Sequence, residues 1–216
     1  MGIPSIAIQS SQAAIDLILS EEVSDQPYYT RHFTHFEWPQ GASGPTVAIG
    51  YDCGYVSPDE IKADWIGYVD DATVSGLMKA AGLRGPQAQA WVRAHGSSVT
   101  ITWDQALKQF MGNELVQWEA KVRKDLQNTS ELSGDSFGAL TSLAYNRGDG
   151  GFHAPGARFL EMRAIADHMA AKAFDRIPQE FLSMRRLWPA GGDLWKRRLH
   201  EAKLFAQGLV AAPAVA

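Results

Sequence analysis

Residues 46–51 read Thr46-Val47-Ala48-Ile49-Gly50-Tyr51, and this short run decides the class of fold. Its β-branched and aromatic residues suit a strand. Just upstream, Pro39-Gln40-Gly41-Ala42-Ser43-Gly44-Pro45 carries turn chemistry. Together they predict a small β-hairpin or three-stranded sheet, entered through an irregular aromatic stretch from Tyr28 to Trp38. Further upstream, Ala14, Ile15, Leu17, Ile18 and Leu19 supply the apolar positions of a helix from about Ser11 to Leu19. Ser10 or Ser11 can cap that helix, which runs into Ser20-Glu21-Glu22-Val23.

Downstream of the strand the pattern becomes helical. Ser57-Pro58-Asp59-Glu60 is a helix start, with a capping Ser, Pro at the first helical position and acids in the first turn. Thr73 to Ala81 and Pro86 to His95 read as further helices, stopped by Gly82 and Gly96. Thr102-Trp103-Asp104-Gln105 opens a long helix to about Leu126, and the mostly apolar run from Ser133 to Tyr145 predicts a buried central helix. After a Gly-rich loop from Gly148 to Gly156, helices follow over Arg158 to Lys172, Phe174 to Leu187 and Gly192 to Gln207. The expected class is α+β, mainly α: one domain over residues 1–210, with a sheet lobe at about 20–56, a helical lobe at 57–208 and a frayed tail at 211–216. A cleft between two such lobes would suit an elongated polymer.

Composition narrows the function. With 216 residues, 45% hydrophobic and 20% charged, the chain can bury a sizeable core. A formal charge of −4 advertises neither a nucleic-acid nor an anionic-membrane partner. The basic cluster of Arg185, Arg186, Lys196, Arg197 and Arg198 reads as a solvated helix face. Cys53 is the single cysteine, which excludes an intrachain disulfide and reads as a small buried residue. The six His residues are scattered without metal-ligand spacing, so no metal is expected. No apolar run reaches the roughly 18–20 residues a membrane span needs. The first residues lack a basic segment followed by a long apolar one, so no secretory signal is read there.

Glu22 closes a helix and leads into a polar, aromatic segment. Partial burial there would raise its pKa and keep it protonated near neutral pH, as a general acid requires. Glu21 is its direct competitor. An acid of this kind usually works with a second carboxylate; Glu37 and Asp52, flanking the turn and the strand, are the nearest, and Asp25 is a weaker third. Asp52 could equally cap the Cys53-Gly54 turn. Thr46 and Ser43 offer hydroxyls that could hold a water.

The order of these features resembles the phage-type lysozymes. A Glu after the first helix (Glu22), a Tyr seven residues on (Tyr29), a Gly turn and then Thr46-Val47-Ala48-Ile49-Gly50-Tyr51 follow the family's Glu, Tyr and Thr-Ile-Gly-x-Gly pattern. Thr102-Trp103-Asp104-Gln105-Ala106 resembles its Thr-x-x-x-Ala helix start. Ser136 through Gly148 resembles its central helix, ending in an Asn-x-Gly turn at Asn146. Lys196-Arg197-Arg198-x-x-Glu201-Ala202-x-Leu204-Phe205 resembles its closing helix. Departures stand beside these matches. Val23 replaces a usual Gly, Ala48 the first strand Gly, and Tyr51 a frequent His. The segment between Glu22 and Thr46 is longer than usual, and no Asp falls at the family's place.

The resemblance implies a lysozyme-like fold and a muramidase cleaving the β-1,4 bonds of peptidoglycan. Glu22 matches the acid catalyst, Thr46 the residue that positions the attacking water, and Gly50 the second strand Gly. The base is Glu37 or Asp52, with Glu37 narrowly favoured. Trp38, Tyr51 and Tyr145 could stack on sugar rings, Ser43 could help hold the water, and Asn146 and Arg147 could bond N-acetyl or lactyl groups. No cofactor is implied. A monomer is expected, made in the cytoplasm and brought to the wall by a holin or a secretion apparatus. Two other readings are a chitosanase or related glycanase, and a lysozyme-fold cell-wall-binding module without catalysis.

Overall fold

The computed structural model of the chain describes residues 8–211; the tail beyond 211, expected to fray, lies outside them. Helix accounts for 70% and strand for 3%, so the chain is mainly helical with one small two-stranded antiparallel sheet. Contacts divide it into two compact units. One joins the residues up to Ile18 to those from Val116 onward; the other is Leu19–Leu115. The lobe boundary expected at 56/57 lies within the unit Leu19–Leu115, where Tyr51 sets its ring edge-on to Trp65.

In the unit Leu19–Leu115, α1 (Gln12–Val23) contributes its last turn and stops where Ser24 takes a left-handed φ of 63°. The aromatic stretch expected to be irregular begins as a helix, α2 (Gln26–His32). Asp25 caps it, its carboxylate accepting from Tyr28 N at 2.7 Å, with Pro27 in the first turn. Seven residues are too few to display a helical period, which is why the pattern alone missed it. Tyr29 of α2 is buried; its hydroxyl donates to Ile101 O at 2.9 Å and its ring meets Trp103 edge-on at 5.3 Å.

The run 46–51 is not one strand. β1 (Thr46–Val47) turns at Ala48-Ile49-Gly50 and returns as β2 (Tyr51–Asp52). The turn needs left-handed backbone at Ala48 (φ 54°) and Gly50 (φ 81°), so the β-branched character misled about length and not about type. α3 (Pro58–Trp65) starts at the expected Ser57 cap, which forms a capping box with Glu60, and packs on α4 (Asp71–Met78). α5 (Gly85–His95) follows. α6 (Trp103–Gln109) then continues through a π-helical turn at Phe110–Glu114 into α7 (Leu115–Asp125), covering the expected long helix. Trp65, Ile61, Leu77 and Phe110 are among the buried residues of this unit.

The other unit is built round α8 (Gly134–Arg147), whose residues Ser136 to Ala144 are all buried. α11 (Asp193–Ala211) lies along it, α10 (Ile177–Met184) lies against α11, and α9 (Leu160–Ala170) against α10. Phe137, Leu140, Leu143, Met162, Ile165, Phe181 and Phe205 fill the core. A Cβ at Gly138 would collide with the Ala14 methyl, so this glycine sets how closely α8 meets the start of α1.

Candidate functional site

The small sheet brings three of the expected residues into one row. Glu37 forms an antiparallel bridge with Thr46, through Glu37 N to Thr46 O and Thr46 N to Glu37 O, both 2.8 Å. On its other side Thr46 is the register partner of Asp52. Directly opposed residues in antiparallel pairs project from the same face, about 4.5–5.5 Å apart at Cβ. Glu37, Thr46 and Asp52 therefore lie side by side, with the hydroxyl between the two carboxylates.

The two carboxylates are not equivalent. Asp52 is turned back onto the backbone. Its Oδ1 and Oδ2 accept from Gly44 N at 3.0 and 3.1 Å, and Oδ1 from Gly54 N at 2.8 Å. A side chain at Gly44 would strike both that carboxylate and the Gly54 backbone, so the glycine is required for the turn to close. Glu37 is exposed, and its carboxylate has no partner among the described residues. Between them the Thr46 hydroxyl donates to Gly44 O at 3.2 Å. Its lone pairs stay available to a water's proton.

Glu21 and Glu22 occupy successive positions in the last turn of α1 and are both half-buried. Asp25, as the cap of α2, is committed to the backbone. Ser43 also serves the backbone: its carbonyl accepts from the Trp38 indole N–H at 3.1 Å and from Gly85 N at 3.0 Å. Tyr51 differs from expectation. It is buried, its ring stands edge-on to Trp65 at 5.4 Å and its hydroxyl donates to Asp64 at 2.8 Å. Burial, then the Asp64 carboxylate, push that hydroxyl's pKa well up. A ring packed in this way has no face left for a sugar. Cys53 is buried as expected, and burial holds its thiol far above its ordinary value.

In the unit built on α8, Tyr145, Asn146 and Arg147 close that helix. Tyr145 lies beside Trp118, ring centres 5.4 Å apart. Asn146 and Arg147 line a hollow of about 300 Å³ together with Arg158, Leu187, Trp188 and Leu194. Arg147 lies 5.1 Å from the centre of the Trp188 ring, and its Nη2 donates to Arg158 O at 2.7 Å. Its buried Nε has no hydrogen-bond partner. Burial, then the neighbouring Arg198 and Arg158, lower its pKa to about 10, which leaves it cationic at neutral pH.

Behind the hollow two members of the basic cluster are interior, against the expectation of a solvated face. Arg197 and Arg198 are buried with Glu201: Arg198 Nε lies 2.8 Å from Glu201 Oε2 and Arg197 Nε 3.3 Å from Oε1. Arg198 Nη2 also donates to Asn146 Oδ1 at 3.2 Å, tying the pair to the hollow. Arg185 stacks on Trp195 at 3.2 Å and Arg186 bonds Glu161, so of the five cations only Lys196 matches a free solvated charge. Arg197 and Arg198 precede Glu201 by four and three residues, the helical spacing at which side chains meet. That spacing was the signal available for the buried network. Trp188 and Arg158, in other segments, carried none.

The sequence pattern that defines the phage lysozymes matches residues 77–201, more than half of the chain. The chain belongs to the phage lysozyme family. Membership implies glycoside hydrolase activity of the muramidase type, with peptidoglycan as substrate. No curated protein matches the chain. The matched region of this phage lysozyme family member holds Tyr145, Asn146, Arg147 and the Arg197–Arg198–Glu201 network. Glu22, Glu37, Thr46 and Asp52 precede it. No described helix is long and apolar enough to cross a membrane.

Proposed function

We propose that this phage lysozyme family member cleaves the β-1,4 bond between N-acetylmuramic acid and N-acetylglucosamine, with Glu22 as general acid and Glu37 as general base. The reading rests above all on the Glu37–Thr46 bridge, which sets an unpartnered carboxylate beside a hydroxyl with free lone pairs. Glu22 gives its proton to the leaving glycosidic oxygen. A water held by Thr46 attacks the anomeric carbon and loses its proton to Glu37, so Glu22 ends ionised and Glu37 protonated, and proton exchange with solvent restores both before the next turnover. Attack by water from the opposite face inverts the anomeric centre. Asp52, whose carboxylate accepts from the Gly44 and Gly54 N–H groups, shapes the turn and is not the base.

Asn146 and Arg147 bind the glycan by its N-acetyl and lactyl groups. The guanidiniums of Arg147 and Arg158 in one hollow favour an anionic glycan over a cationic one such as chitosan. The site of action is the cell wall, and an endolysin-like lytic role is the natural use of such an activity.

The deciding experiment assays Glu22→Gln and Glu21→Gln on purified peptidoglycan, reading new reducing ends by mass spectrometry. Glu22→Gln should lose on the order of 10²–10⁴-fold in rate, and Glu21→Gln should stay near the parent. Full activity in Glu22→Gln overturns the assignment. An α-anomeric first product, seen by NMR, supports inversion.

A further inference from the structure

A second hollow, of about 380 Å³, lies in the unit Leu19–Leu115 between α2 and the approach to α6. That volume falls in the range of about 300–1,000 Å³ usual for small-ligand sites. Trp103 forms part of its wall and is half-exposed. The indole is braced from behind by Tyr29, which is itself fixed by its bond to Ile101 O. Thr34 and Thr100 line the same wall; Ile101 N donates to Thr34 O at 2.9 Å, which pins the two segments together.

The polar groups divide clearly. Thr30 and Thr102 spend their hydroxyl protons internally, on Gln26 O at 2.9 Å and Gln105 Oε1 at 3.0 Å. The hydroxyls of Thr34 and Thr100, the side-chain amide of Gln26 and the carboxylate of Asp104 have no partner among the described residues. Among the described residues, no cation lines the hollow. A rigid indole ringed by uncommitted hydroxyl, amide and carboxylate groups suits a hydroxyl-rich ring. The C–H face of a pyranose packs on the indole, and its hydroxyls donate to Asp104 and Thr oxygens. Asp104 repels a phosphate or a stem-peptide carboxylate. As a lone carboxylate it also lacks the second acid–base group that glycosidic cleavage needs.

We propose that this hollow is a non-catalytic binding site for one neutral N-acetylhexosamine unit, holding a glycan strand at a hollow whose lining includes none of Glu22, Thr46 and Glu37. The inference rests on the reading of the chain as a glycan hydrolase. It is tested separately from catalysis, by binding to the Glu22→Gln protein.

The probe is N,N′,N″-triacetylchitotriose, which is neutral, titrated into full-length Glu22→Gln while the seven indole N–H resonances are followed by NMR. Trp103→Phe identifies the Trp103 signal. It should move with a dissociation constant on the order of 1 mM, and inorganic phosphate should leave it in place. Thr100→Val and Asp104→Ala, both at exposed positions, should weaken that response at least tenfold. On the active background the same two changes should slow digestion of intact sacculi severalfold and leave turnover of soluble oligomers unchanged. A Trp103 signal that stays still up to 20-fold above that concentration overturns the proposal, whatever Glu22→Gln does to activity. So does a response that survives both substitutions.

Discussion

Glu37 and Thr46 exchange both of their backbone hydrogen bonds, at 2.8 Å each, across a bridge that adds the single residue Glu37 to the free edge of β1. The side chains are held together by main chain alone, so either can be changed without removing the other. Thr46→Val keeps the branched shape and deletes the hydroxyl. The lost bond is to Gly44 O at a half-buried site, so stability should fall by no more than about 1 kcal/mol. Turnover of peptidoglycan should fall by roughly 10²-fold if that hydroxyl orients the water. Paired thermal melts and initial rates check it; a rate loss no larger than the stability loss explains would remove Thr46 from the mechanism.

Asp52 stands on the other side of the same threonine and should behave in the opposite way. Its carboxylate accepts from two backbone N–H groups, Gly44 and Gly54. Asp52→Asn turns one oxygen into a donor facing donors, and should cost about 1–3 kcal/mol in urea unfolding with little change in the rate of the folded enzyme. Glu37→Gln should leave the unfolding midpoint unchanged and lower the rate. The contrast decides which of the two carboxylates is the base.

Deep in the unit built on α8, Arg197 and Arg198 share Glu201. Burial pushes the Glu201 carboxyl up, and Arg198 and then Arg197 oppose that shift. Glu201→Gln removes the carboxylate both guanidiniums share, and should cost about 3–5 kcal/mol, the usual result of breaking a buried pair from one side. Because Arg198 also bonds Asn146, KM for peptidoglycan should rise in any fraction that still folds. An unfolding midpoint equal to the parent's would show that the pair adds nothing to stability.

Much of this was legible in the residues. The helix starts at Ser57 and Thr102, the apolar run of α8 and the turn chemistry before Thr46 each act over a few neighbouring positions, and each appears where expected. What was missed depends on partners distant in sequence. Tyr51 looked like a sugar-stacking ring until Trp65 and Asp64 claimed it. The basic cluster looked solvated because Glu201 lies one turn farther along α11 and its buried surroundings come from α8. The Glu37–Thr46–Asp52 row needed the register of a sheet only two residues long in each strand, which no period can reveal.

Asp125 offers a test by pH. It ends α7 with its side chain largely buried. Burial raises its carboxyl above the ordinary aspartate value, Asp149 beside it raises it further, and His153, with Nε2 3.9 Å from Oδ1, pulls it partly back. A raised value in the folded state means that the native protein holds this proton more tightly than the unfolded chain does. The resulting stability is complete below the unfolded value, about 3.9, and is lost as pH rises through the folded one. Above that range the ionised Asp125 sits against Asp149 at a cost. Asp125→Asn, neutral throughout, should therefore melt higher than the parent at pH 7. Near pH 4 the two should melt together. Melting curves at pH 4, 5.5 and 7 supply the comparison. A difference that stays constant across the three would mean that folding leaves this carboxyl's affinity for its proton unchanged; one that grows toward acid would mean that Asp125 is held by His153 more strongly than burial and Asp149 oppose its charge.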